Sequence, residues 1–466
     1  MAHNKFLPRV LAAAAAMMLL AGCSSKADPG FSPANPVNIT IWTYYNGEQL
    51  EAFNALVDEF NSTVGKEQGI TVESSSHGSV TDLENNVLAS AEGKVGAEAM
   101  PNIFSAYADT AYALDEMGQI ADLSDYLSEE DRAAFIEDYL SEGDFSGSGS
   151  IKIFPVAKSA ELLFLNETDW EPFAAATGAT YDDLATIEGL VSVAERYYEW
   201  TDAQTPDIPN DGRAFFGRDA MANYMLIGAK QLGCTIFAAQ GGSMTLNFDH
   251  DAVRTLWDNY YVPFIKGYFS ASGRFRSDDV KTGNIIAYVG SSSSATFFPT
   301  QVIADDMDSH DITRKALESP KFANGEDYAV QQGAGMVVTK ASDAEIQASL
   351  VFLKWFTSPE HNITFSVDSG YLPVTHEGNS IDAIRISGLA LSDEMDEVLS
   401  AAVDTVNENH LYTPRAFSGG TNARAILEYS MSDKASADRA AVKEAMAQGQ
   451  SFEEASAQFL SDKCFE

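Results

Sequence analysis

Positive charge is scarce in this sequence. The 466 residues contain 29 Lys and Arg against 68 Asp and Glu, a formal net charge of -39 at pH 7. A chain this acidic repels nucleic-acid phosphates and anionic lipid headgroups, so neither is expected as a partner. Hydrophobic residues still make up 45% of the chain, enough for large buried cores. The length predicts two or three domains.

Cysteine is scarce as well. Cys23, Cys234 and Cys464 are the three cysteines. They form no Cys-x-x-Cys motif, so the sequence indicates neither a metal site nor a redox centre. A single disulfide between Cys234 and Cys464 stays open as an alternative.

The motifs of common enzyme classes are missing. The sequence contains no Gly-x-Ser-x-Gly, and Gly333-Ala334-Gly335 is followed by Val338 where a dinucleotide fingerprint requires glycine. The acidic run Asp305–Asp311 lacks the Gly and Glu of a calcium loop, so we expect a solvated loop there. We therefore expect no enzyme activity, no metal and no cofactor. A secreted glycoside hydrolase built from two of the many carboxylates is the enzyme alternative.

No hydrophobic run is long enough to span a membrane. The apolar stretch Val10–Leu20 is too short for a bilayer of about 30 Å, so residues 1–22 are interpreted as a secretory signal peptide. Leu20-Ala21-Gly22-Cys23 follows and resembles the bacterial lipobox. We expect Cys23 to carry lipid and to anchor the protein on the extracytoplasmic side of the membrane, with residues 23–36 as a flexible tether. A plain secreted protein is the alternative.

Strand and helix patterns alternate along the rest of the chain. Val37–Thr43 has the alternation of a strand, Leu50–Phe60 has a helical period, and Ile70–Glu73 is again strand-like. This order predicts the α/β class, with a parallel or mixed sheet flanked by helices. The turn-rich break Phe145–Ser150 precedes a second set of strands and helices. A second lobe is therefore expected.

Five segments stand in an order that is typical of one family. They are VNITIWTYYNGEQLEAFNALVDEFN, MPNIFSAYADTAYALDEMGQIADLSDYL, FPVAKSAELLFLNETDW, NIIAYVGSSSSATFF and QQGAGMVVTKASDAEIQASLVFLKWFTSPEHNITFSVDSGYLPV. Together they resemble extracellular solute-binding protein family 1, the lipoprotein receptors of bacterial ABC sugar importers. Maltose-binding and glycerol-3-phosphate-binding receptors belong to this group.

The resemblance implies a two-lobed, periplasmic-binding-protein-like fold. Residues 37–156 and 328–372 would form lobe 1, and residues 157–327 and 373–466 would form lobe 2. A solute would bind between the lobes, and hinge closure would present the complex to the permease subunits of an ABC transporter. We expect a monomer that touches the membrane through its N-terminal lipid alone.

The resemblance also implies which positions line the cleft. The family uses a tyrosine in the first loop, a serine near the lobe crossing, a Ser/Gly loop, the tyrosine of Gly-Tyr-Leu-Pro and a C-terminal arginine. The matching positions are Tyr44 or Tyr45, Ser159, Ser292 and Ser293, Tyr371 and Arg415.

Other candidates follow from the residues themselves. Asn46 follows the first predicted strand, and Tyr107 and Asp109 follow a later one. Open α/β sheets bind their ligands at such strand exits. The Glu161 carboxylate can accept hydrogen bonds from two sugar hydroxyls. The alternatives are core packing for the tyrosines, an exposed strand charge for Glu161 and a merely flexible serine loop.

Two ligand classes stay open. A phosphorylated polyol would need a few cations, such as Lys158 and Arg415, to hold the phosphate against a strongly negative background. A surface ion pair is the alternative role for Arg415. The acidity favours a neutral sugar or oligosaccharide as the predicted solute. A structural surface adhesin is the third class that the sequence allows.

Overall fold

The computed structural model describes residues 30–240, 243–304 and 309–465. Three segments lie outside the described residues. They are the predicted signal peptide, the predicted lipid-anchor residue Cys23 and most of the acidic run Asp305–Asp311. Within the described ranges, no helix combines the length and the apolar character that crossing a membrane requires.

The strands fall into two four-stranded sheets and three strand pairs. They are β1 (Val37–Thr43), β2 (Ile70–Ser76), β3 (Ile103–Ala106), β4 (Glu161–Asn166), β5 (Phe216–Arg218), β6 (Phe237–Gln240), β7 (Ser243–Leu246), β8 (Ala287–Ser291), β9 (Gln301–Val302), β10 (His310–Asp311), β11 (Arg314–Glu318), β12 (Tyr328–Val330), β13 (Gly335–Val338) and β14 (His410–Tyr412).

Helices surround both large sheets, and two short 3₁₀ helices, Tyr181–Leu184 and Ser292–Phe297, lie among them. The α-helices are α1 (Gly47–Ser62), α2 (Val64–Gln68), α3 (Val80–Ala91), α4 (Ala108–Glu116), α5 (Glu129–Ala133), α6 (Glu137–Ser141), α7 (Glu167–Thr177), α8 (Ile187–Asp202), α9 (Met221–Gln231), α10 (His250–Lys266), α11 (Arg276–Lys281), α12 (Asp343–Phe356), α13 (Pro359–Ser369), α14 (Ile381–Ile386), α15 (Asp393–Glu408), α16 (Gly420–Ala447), α17 (Phe452–Ser456) and α18 (Asp462–Phe465).

The first sheet has the strand order β13-β3-β1-β2 and forms the centre of lobe 1. β1 runs parallel to β2 and to β3, and β13 completes the sheet antiparallel to β3. Ile39 and Ile41 of β1 are fully buried beneath a helical layer that includes α1, α12 and α13. The predicted alternation of strands and helices in this lobe is confirmed.

The second sheet has the strand order β11-β4-β8-β5 and forms the centre of lobe 2. β4 runs antiparallel to both of its neighbours, whereas β5 runs parallel to β8. Leu163 and Leu165 of β4 pack into the cluster that holds α8, α9, α10 and α16, while Leu162 and Phe164 pack on the side of α15. Because β4 is covered on both faces, its sequence ELLFLN is apolar almost throughout.

The chain first crosses between the sheets around Lys158. Phe154 still pairs with Met336 of β13, Lys158 pairs with Leu372, and Glu161 already begins β4 of the second sheet. The described structure is thus a mixed α/β fold with two sheet-centred lobes, as predicted. The exact lobe limits stay a prediction.

One local expectation is corrected. The predicted tether ends earlier than expected, because Phe31 is 8% exposed and packs into the core of lobe 1. The Ser- and Pro-rich composition around that ring concealed its packing. The chain turns between β12 and β13, where Gly333 adopts a positive φ of 94°.

The two described cysteines are not bonded to each other. Cys234 is buried and Cys464 is half-buried, and both are free thiols. The disulfide alternative is therefore excluded. Near the C-terminus, Ser451 and Glu454 cap the start of α17 reciprocally.

Candidate ligand-binding cleft

A cavity of about 550 Å³ opens between the lobes, and we call it the cleft. Four helices begin at its wall, α3 and α4 from lobe 1 and α9 and α16 from lobe 2. The first backbone N–H groups of a helix have no partner within the helix and carry partial positive charge. The helix starts other than that of α9, whose first N–H groups bond to Glu428, thus offer hydrogen-bond donors from both lobes to an oxygen-rich ligand. The polar side chains of the cleft include Glu84, Tyr107, Asp109, Glu142, Asn223, Gln331, Gln332, Tyr412, Thr413, Arg415, Thr421, Arg424 and Glu428.

The lobes approach each other closely at one point on this wall. Asp109 in the first turn of α4 faces Gly420 at the start of α16, and a Cβ at position 420 would overlap the Asp109 carboxylate. Glycine at position 420 gives the Asp109 carboxylate room in its present position, and a larger residue would force that side chain to move. The absent side chain lets lobe 1 and lobe 2 meet.

Two arginines reach the cleft in different ways. Arg424 is half-buried and donates a hydrogen bond to Oδ1 of Asn223. Asn223 in turn donates to Oε1 of Glu161 over 2.8 Å. Arg415 is exposed and lies beside Gly147 of lobe 1. Arg424 is therefore held in place by its hydrogen bond to Asn223, whereas Arg415 extends toward solvent.

Four carboxylates line the cleft, but two of them are occupied within the protein. Glu142 forms a buried ion pair with Lys158. Glu428 accepts hydrogen bonds from the backbone N–H groups of Met221 and Ala222, over 3.1 and 2.8 Å, and so satisfies the start of α9.

Glu84 and Asp109 remain as the carboxylates that can turn to a ligand. Burial raises the pKa of Glu84, although a 2.8 Å hydrogen bond from Thr110 acts in the opposite direction. Burial also raises the pKa of Asp109, and the nearby Arg424 guanidinium partly offsets this rise. Each carboxylate is thus held in a partly dehydrated position, where ligand hydroxyls can replace the missing water.

Two glutamine side chains at the cleft wall each have one amide atom without a hydrogen-bond partner. Within the part of the chain that the structure describes, Nε2 of Gln331 and Oε1 of Gln332 are buried and bond to no protein group. A buried polar atom without a partner costs about 1–3 kcal/mol, so native proteins rarely retain one. A ligand in the cleft would supply both missing partners, an acceptor for Gln331 and a donor for Gln332.

A group of three tyrosine hydroxyls, the tyrosine cluster, adjoins the cleft. Tyr44 and Tyr371 have their hydroxyl oxygens 3.3 Å apart. Tyr107, which lines the cleft, hydrogen-bonds to Tyr44, and Tyr371 hydrogen-bonds to Ser293. Burial raises the pKa of all three phenols, so each hydroxyl keeps its proton and can donate. The cluster connects the cleft to the serine loop of lobe 2.

The predicted site residues divide into three groups. Tyr107, Asp109 and Arg415 line the cleft itself. Next to it lie Tyr44 and Tyr371 of the tyrosine cluster, with Ser293 and Ser292; the Ser292 hydroxyl donates to the Gly370 carbonyl over 3.0 Å. The others, Tyr45, Asn46, Lys158, Ser159 and Glu161, do not line the cleft.

Tyr45 and Asn46 pack and hydrogen-bond within lobe 1. Tyr45 is 2% exposed, and its ring lies 5.4 Å from Phe53 and 5.5 Å from Phe365 between centroids. Asn46 precedes α1, and its side chain donates to the carbonyls of Tyr44 and Gly78. We expected both residues to contact the ligand, but the structure places neither of them on the cleft wall.

Lys158, Ser159 and Glu161 lie buried where the chain crosses between lobes. Lys158 is 0% exposed and also donates to the Gly333 carbonyl over 2.8 Å, while Glu161 forms an ion pair with Arg218. Ser159 is 4% exposed and donates its backbone N–H to Gln332. We call these ion pairs, Glu142–Lys158 and Glu161–Arg218 with Asn223, the crossing network.

Sequence reasoning missed Gln331, Gln332, Asn223 and Arg424. The consecutive glutamines carried a usable signal, since they interrupt an apolar strand pattern at a lobe crossing. Asn223 and Arg424 carried none, because they lie within ordinary helical patterns in α9 and α16. Among the described residues, no three His, Cys, Asp or Glu side chains are placed to hold a metal ion.

Several solved structures share the fold at low sequence identity. Cyclic alpha-maltosyl-1,6-maltose binding protein from Arthrobacter globiformis is 17% identical, with a TM-score of 0.65 over 90% of this chain and 96% of that chain. UgpB from Mycobacterium tuberculosis, solved with glycerophosphocholine, is 17% identical, with a TM-score of 0.64 over 84% and 92%. The ABC substrate-binding protein Lmo0181 from Listeria monocytogenes, solved with cycloalternan, is 16% identical, with a TM-score of 0.64 over 87% and 97%.

The sequence itself matches one family model. No curated protein matches the chain in a direct comparison. Residues 55–384, more than half of the chain, match the model described as bacterial extracellular solute-binding protein. This match agrees with the family resemblance of the five sequence segments and with the two-lobed fold. The chain belongs to the bacterial extracellular solute-binding protein family.

Proposed function

We propose that the protein is the solute-binding receptor of a bacterial ABC importer and captures a neutral carbohydrate in the cleft. One observation carries the proposal. The cleft is lined from both lobes, and it presents a buried amide donor on Gln331 and a buried amide acceptor on Gln332 that have no protein partner. Its volume of about 550 Å³ lies within the range of about 300–1,000 Å³ that is usual for small-ligand sites.

The chemistry of the cleft suits a ligand rich in hydroxyl groups. Each sugar hydroxyl both donates and accepts, and the cleft offers donors on Arg424 and Tyr107 and an acceptor on Asp109. Glu142 is paired with Lys158, so Glu84, Asp109 and Glu428 remain against Arg415 and Arg424. The cleft therefore has a small negative formal charge, which disfavours an anionic ligand relative to a neutral one.

Two of the structural neighbours support the carbohydrate class. The Arthrobacter globiformis protein is named for a cyclic maltosyl-maltose ligand, and the Listeria monocytogenes protein was solved with cycloalternan. The name of the Listeria protein also supports a role in ABC import, because it is an ABC substrate-binding protein. On this proposal the partners of the chain are a sugar and the permease subunits of a transporter.

Ligand binding and transport are linked through closure of the lobes. A ligand that touches both lobes stabilises the closed arrangement by its differential affinity, and micromolar binding corresponds to about 8 kcal/mol. Closure then presents a combined surface of both lobes to the permease. No bond needs to be made or broken, so the proposed role is binding and not catalysis.

A phosphorylated polyol is the second candidate ligand. Arg415 and Arg424 both line the cleft near the start of α16, where a phosphate would also meet backbone N–H groups. The Mycobacterium tuberculosis neighbour was solved with glycerophosphocholine, a phosphodiester. This candidate requires the two arginines to act together on one anion.

The proposed location is outside the cytoplasm, with Cys23 as the lipid anchor and a monomer as the working form. The family description places its members outside the cell. Lipidation is supported by the lipobox-like segment Leu20-Ala21-Gly22-Cys23 alone. Metabolic labelling with a fatty-acid analogue tests it, since Cys23→Ser should abolish the label and release the protein from the membrane.

A thermal-unfolding screen of sugars, polyols and their phosphates tests the ligand class. A ligand at 100 times its Kd stabilises the protein by about 2.7 kcal/mol, which is easily detected as a rise in Tm. We expect neutral oligosaccharides to raise Tm and phosphorylated polyols to have no effect. Stabilisation by phosphates alone would favour the second candidate, and release of sugar products on incubation would favour a glycoside hydrolase.

A further inference from the structure

Asn223 is buried in the first turn of α9 and joins two charged groups. It is 1% exposed and lies between the Glu161 carboxylate of the crossing network and the Arg424 guanidinium of the cleft. Its Nδ2 donates to Glu161, and its Oδ1 accepts from Arg424. A buried side chain therefore connects the core of lobe 2 to a charged residue of the ligand site.

These two partners allow the Asn223 amide a single orientation. An arginine can only donate hydrogen bonds, and an ionised carboxylate can only accept them. If the amide were reversed, its NH₂ group would face the guanidinium and its oxygen would face the carboxylate, so both hydrogen bonds would be lost. Glu161 is itself held by its ion pair with the buried Arg218. The orientation of Asn223 is therefore set from the interior of lobe 2.

One face of α16 carries the residue that Asn223 holds. Gly420, Arg424 and Glu428 are four residues apart on this helix, so they lie on the same face. Glu428 accepts hydrogen bonds from the first backbone N–H groups of α9, one turn beyond the bond from Arg424 to Asn223. Two neighbouring polar contacts thus fix this face of α16 against the start of α9.

The same face of α16 meets lobe 1. The Asp109 carboxylate lies against Gly420, one helical turn before Arg424. Burial raises the pKa of both Asp109 and Tyr107, and the positive charge of Arg424 opposes that rise at each of them. All three side chains line the cleft. The Arg424 guanidinium therefore lies opposite two polar groups of the other lobe.

We propose that Asn223 is a positioning residue for ligand binding: held by Glu161, it keeps the Arg424 guanidinium on the cleft wall opposite Asp109 of lobe 1. Arg424 then presents donors from lobe 2 where Asp109 presents an acceptor from lobe 1. A ligand hydroxyl between them can accept from the one and donate to the other. The part that concerns the ligand rests on the proposed function, whereas the effect of Asn223 on Arg424 does not.

The pKa of Asp109 reports the position of Arg424 without any ligand. NMR of protein labelled with ¹³C in its aspartate carboxyl groups follows this pKa, and the Asp109 signal is the one that Asp109→Asn removes. Arg424→Ala should raise the pKa of Asp109, because a nearby positive charge is lost. Asn223→Leu should raise it as well. In the Arg424→Ala background, Asn223→Leu should cause no further rise, because it acts through the guanidinium.

Two further variants separate positioning from a general loss of stability. Asn379 is also buried and donates to the Pro373 carbonyl over 2.7 Å, but it does not line the cleft. Asn379→Leu should therefore leave the pKa of Asp109 unchanged even where it lowers Tm. Asn223→Ser is smaller than Asn223→Leu, and its hydroxyl is too short to reach both partners. It should reproduce the rise, and it replaces Asn223→Leu if thermal unfolding shows that Asn223→Leu does not fold.

Isothermal titration with maltotriose, cellotriose and xylotriose adds a readout of ligand binding. We expect Arg424→Ala to weaken binding of the recognised probe about tenfold, as the loss of one charged hydrogen bond implies. Asn223→Leu should weaken it by a similar factor. The double variant should bind no more weakly than Arg424→Ala, because both substitutions remove the same contact.

The outcomes separate this inference from the proposed function. A pKa of Asp109 that stays unchanged in Arg424→Ala, or in both Asn223 variants, overturns the positioning role. Losses of affinity that add up in the double variant also overturn it, since Asn223 would then contact the ligand itself. If no probe binds, the carbohydrate proposal fails, and the titration of Asp109 decides the positioning role by itself.

Discussion

The crossing network and the cleft lie side by side and use the same residue types in opposite ways. In the crossing network, Glu161 has all its oxygens committed, to Arg218 and to Asn223. In the cleft, Nε2 of Gln331 and Oε1 of Gln332 are buried and have no protein partner. The comparison separates polar atoms that the protein already uses from polar atoms that it leaves for another molecule.

The largest expected effect is on the crossing network. Glu161→Ala removes the carboxylate that pairs with the buried Arg218 guanidinium and accepts from Nδ2 of Asn223, so the free energy of unfolding should fall by about 3–5 kcal/mol. Urea denaturation followed by circular dichroism measures this loss. The control is Lys434→Ala, which removes an exposed ion pair with Asp438 and should cost less than about 1 kcal/mol. A Glu161→Ala protein as stable as this control would show that the network is not structural.

The second-largest effect is expected at Gln332. It distinguishes a residue that contacts the ligand in the cleft from a residue that supports the fold in the crossing network. Gln332→Met keeps the length of the side chain but removes an acceptor that no protein group uses, so unfolding in the absence of ligand should be unchanged or slightly harder. Affinity for the sugar identified by thermal screening should fall by about 1–3 kcal/mol, measured by isothermal titration. Equal affinity of the variant and the parent would exclude Gln332 from ligand contact.

A pH effect is expected at Asp219, which lies at the boundary of the two regions. Burial raises the pKa of Asp219 to about 6, and the adjacent Arg276 offsets only part of this rise. The folded protein therefore holds this proton more tightly than the unfolded chain, whose aspartates titrate near 3.9. The contribution of Asp219 to the free energy of unfolding should rise as the pH falls from about 6 to about 4, and it is least favourable above pH 6.

The measurement compares parent and Asp219→Asn protein by urea denaturation at several pH values. The difference between the two should change by at most about 1.4 kcal/mol per pH unit, in favour of the parent as the pH falls. A difference that is constant with pH would place the Asp219 pKa near its ordinary value.

The smallest effect is expected at Arg415. Because this side chain is exposed, Arg415→Ala should weaken neutral oligosaccharide binding by less than about 1 kcal/mol. Isothermal titration with the sugar and with glycerol-3-phosphate checks the result. A tenfold or larger loss that is confined to the phosphorylated ligand would move the function to the second candidate.

Much of the fold could be predicted from local sequence patterns. The predicted strand Val37–Thr43 coincides with β1 residue for residue, and the helical period of Leu50–Phe60 lies within α1. Both segments have side-chain periods that depend on their own residues alone. The family resemblance supplied the two-lobed arrangement, which no local pattern contains.

The site was harder to predict because burial depends on distant partners. Tyr44 and Tyr45 are adjacent, yet Tyr45 enters the core because Phe365 of α13 packs against it. Lys158 appeared to be a free cation, but the fold places Glu142 of lobe 1 against it. Neither partner can be identified from the residues that surround these positions in the sequence.

Gly420 leaves room for the Asp109 carboxylate where the two lobes meet. A methyl group at position 420 would overlap that carboxylate, so Gly420→Ala should displace the Asp109 side chain from its present position on the cleft wall. We expect the variant to release a bound solute faster than the parent protein. The smallest residue in the cleft wall thus bears on how long the cargo stays bound.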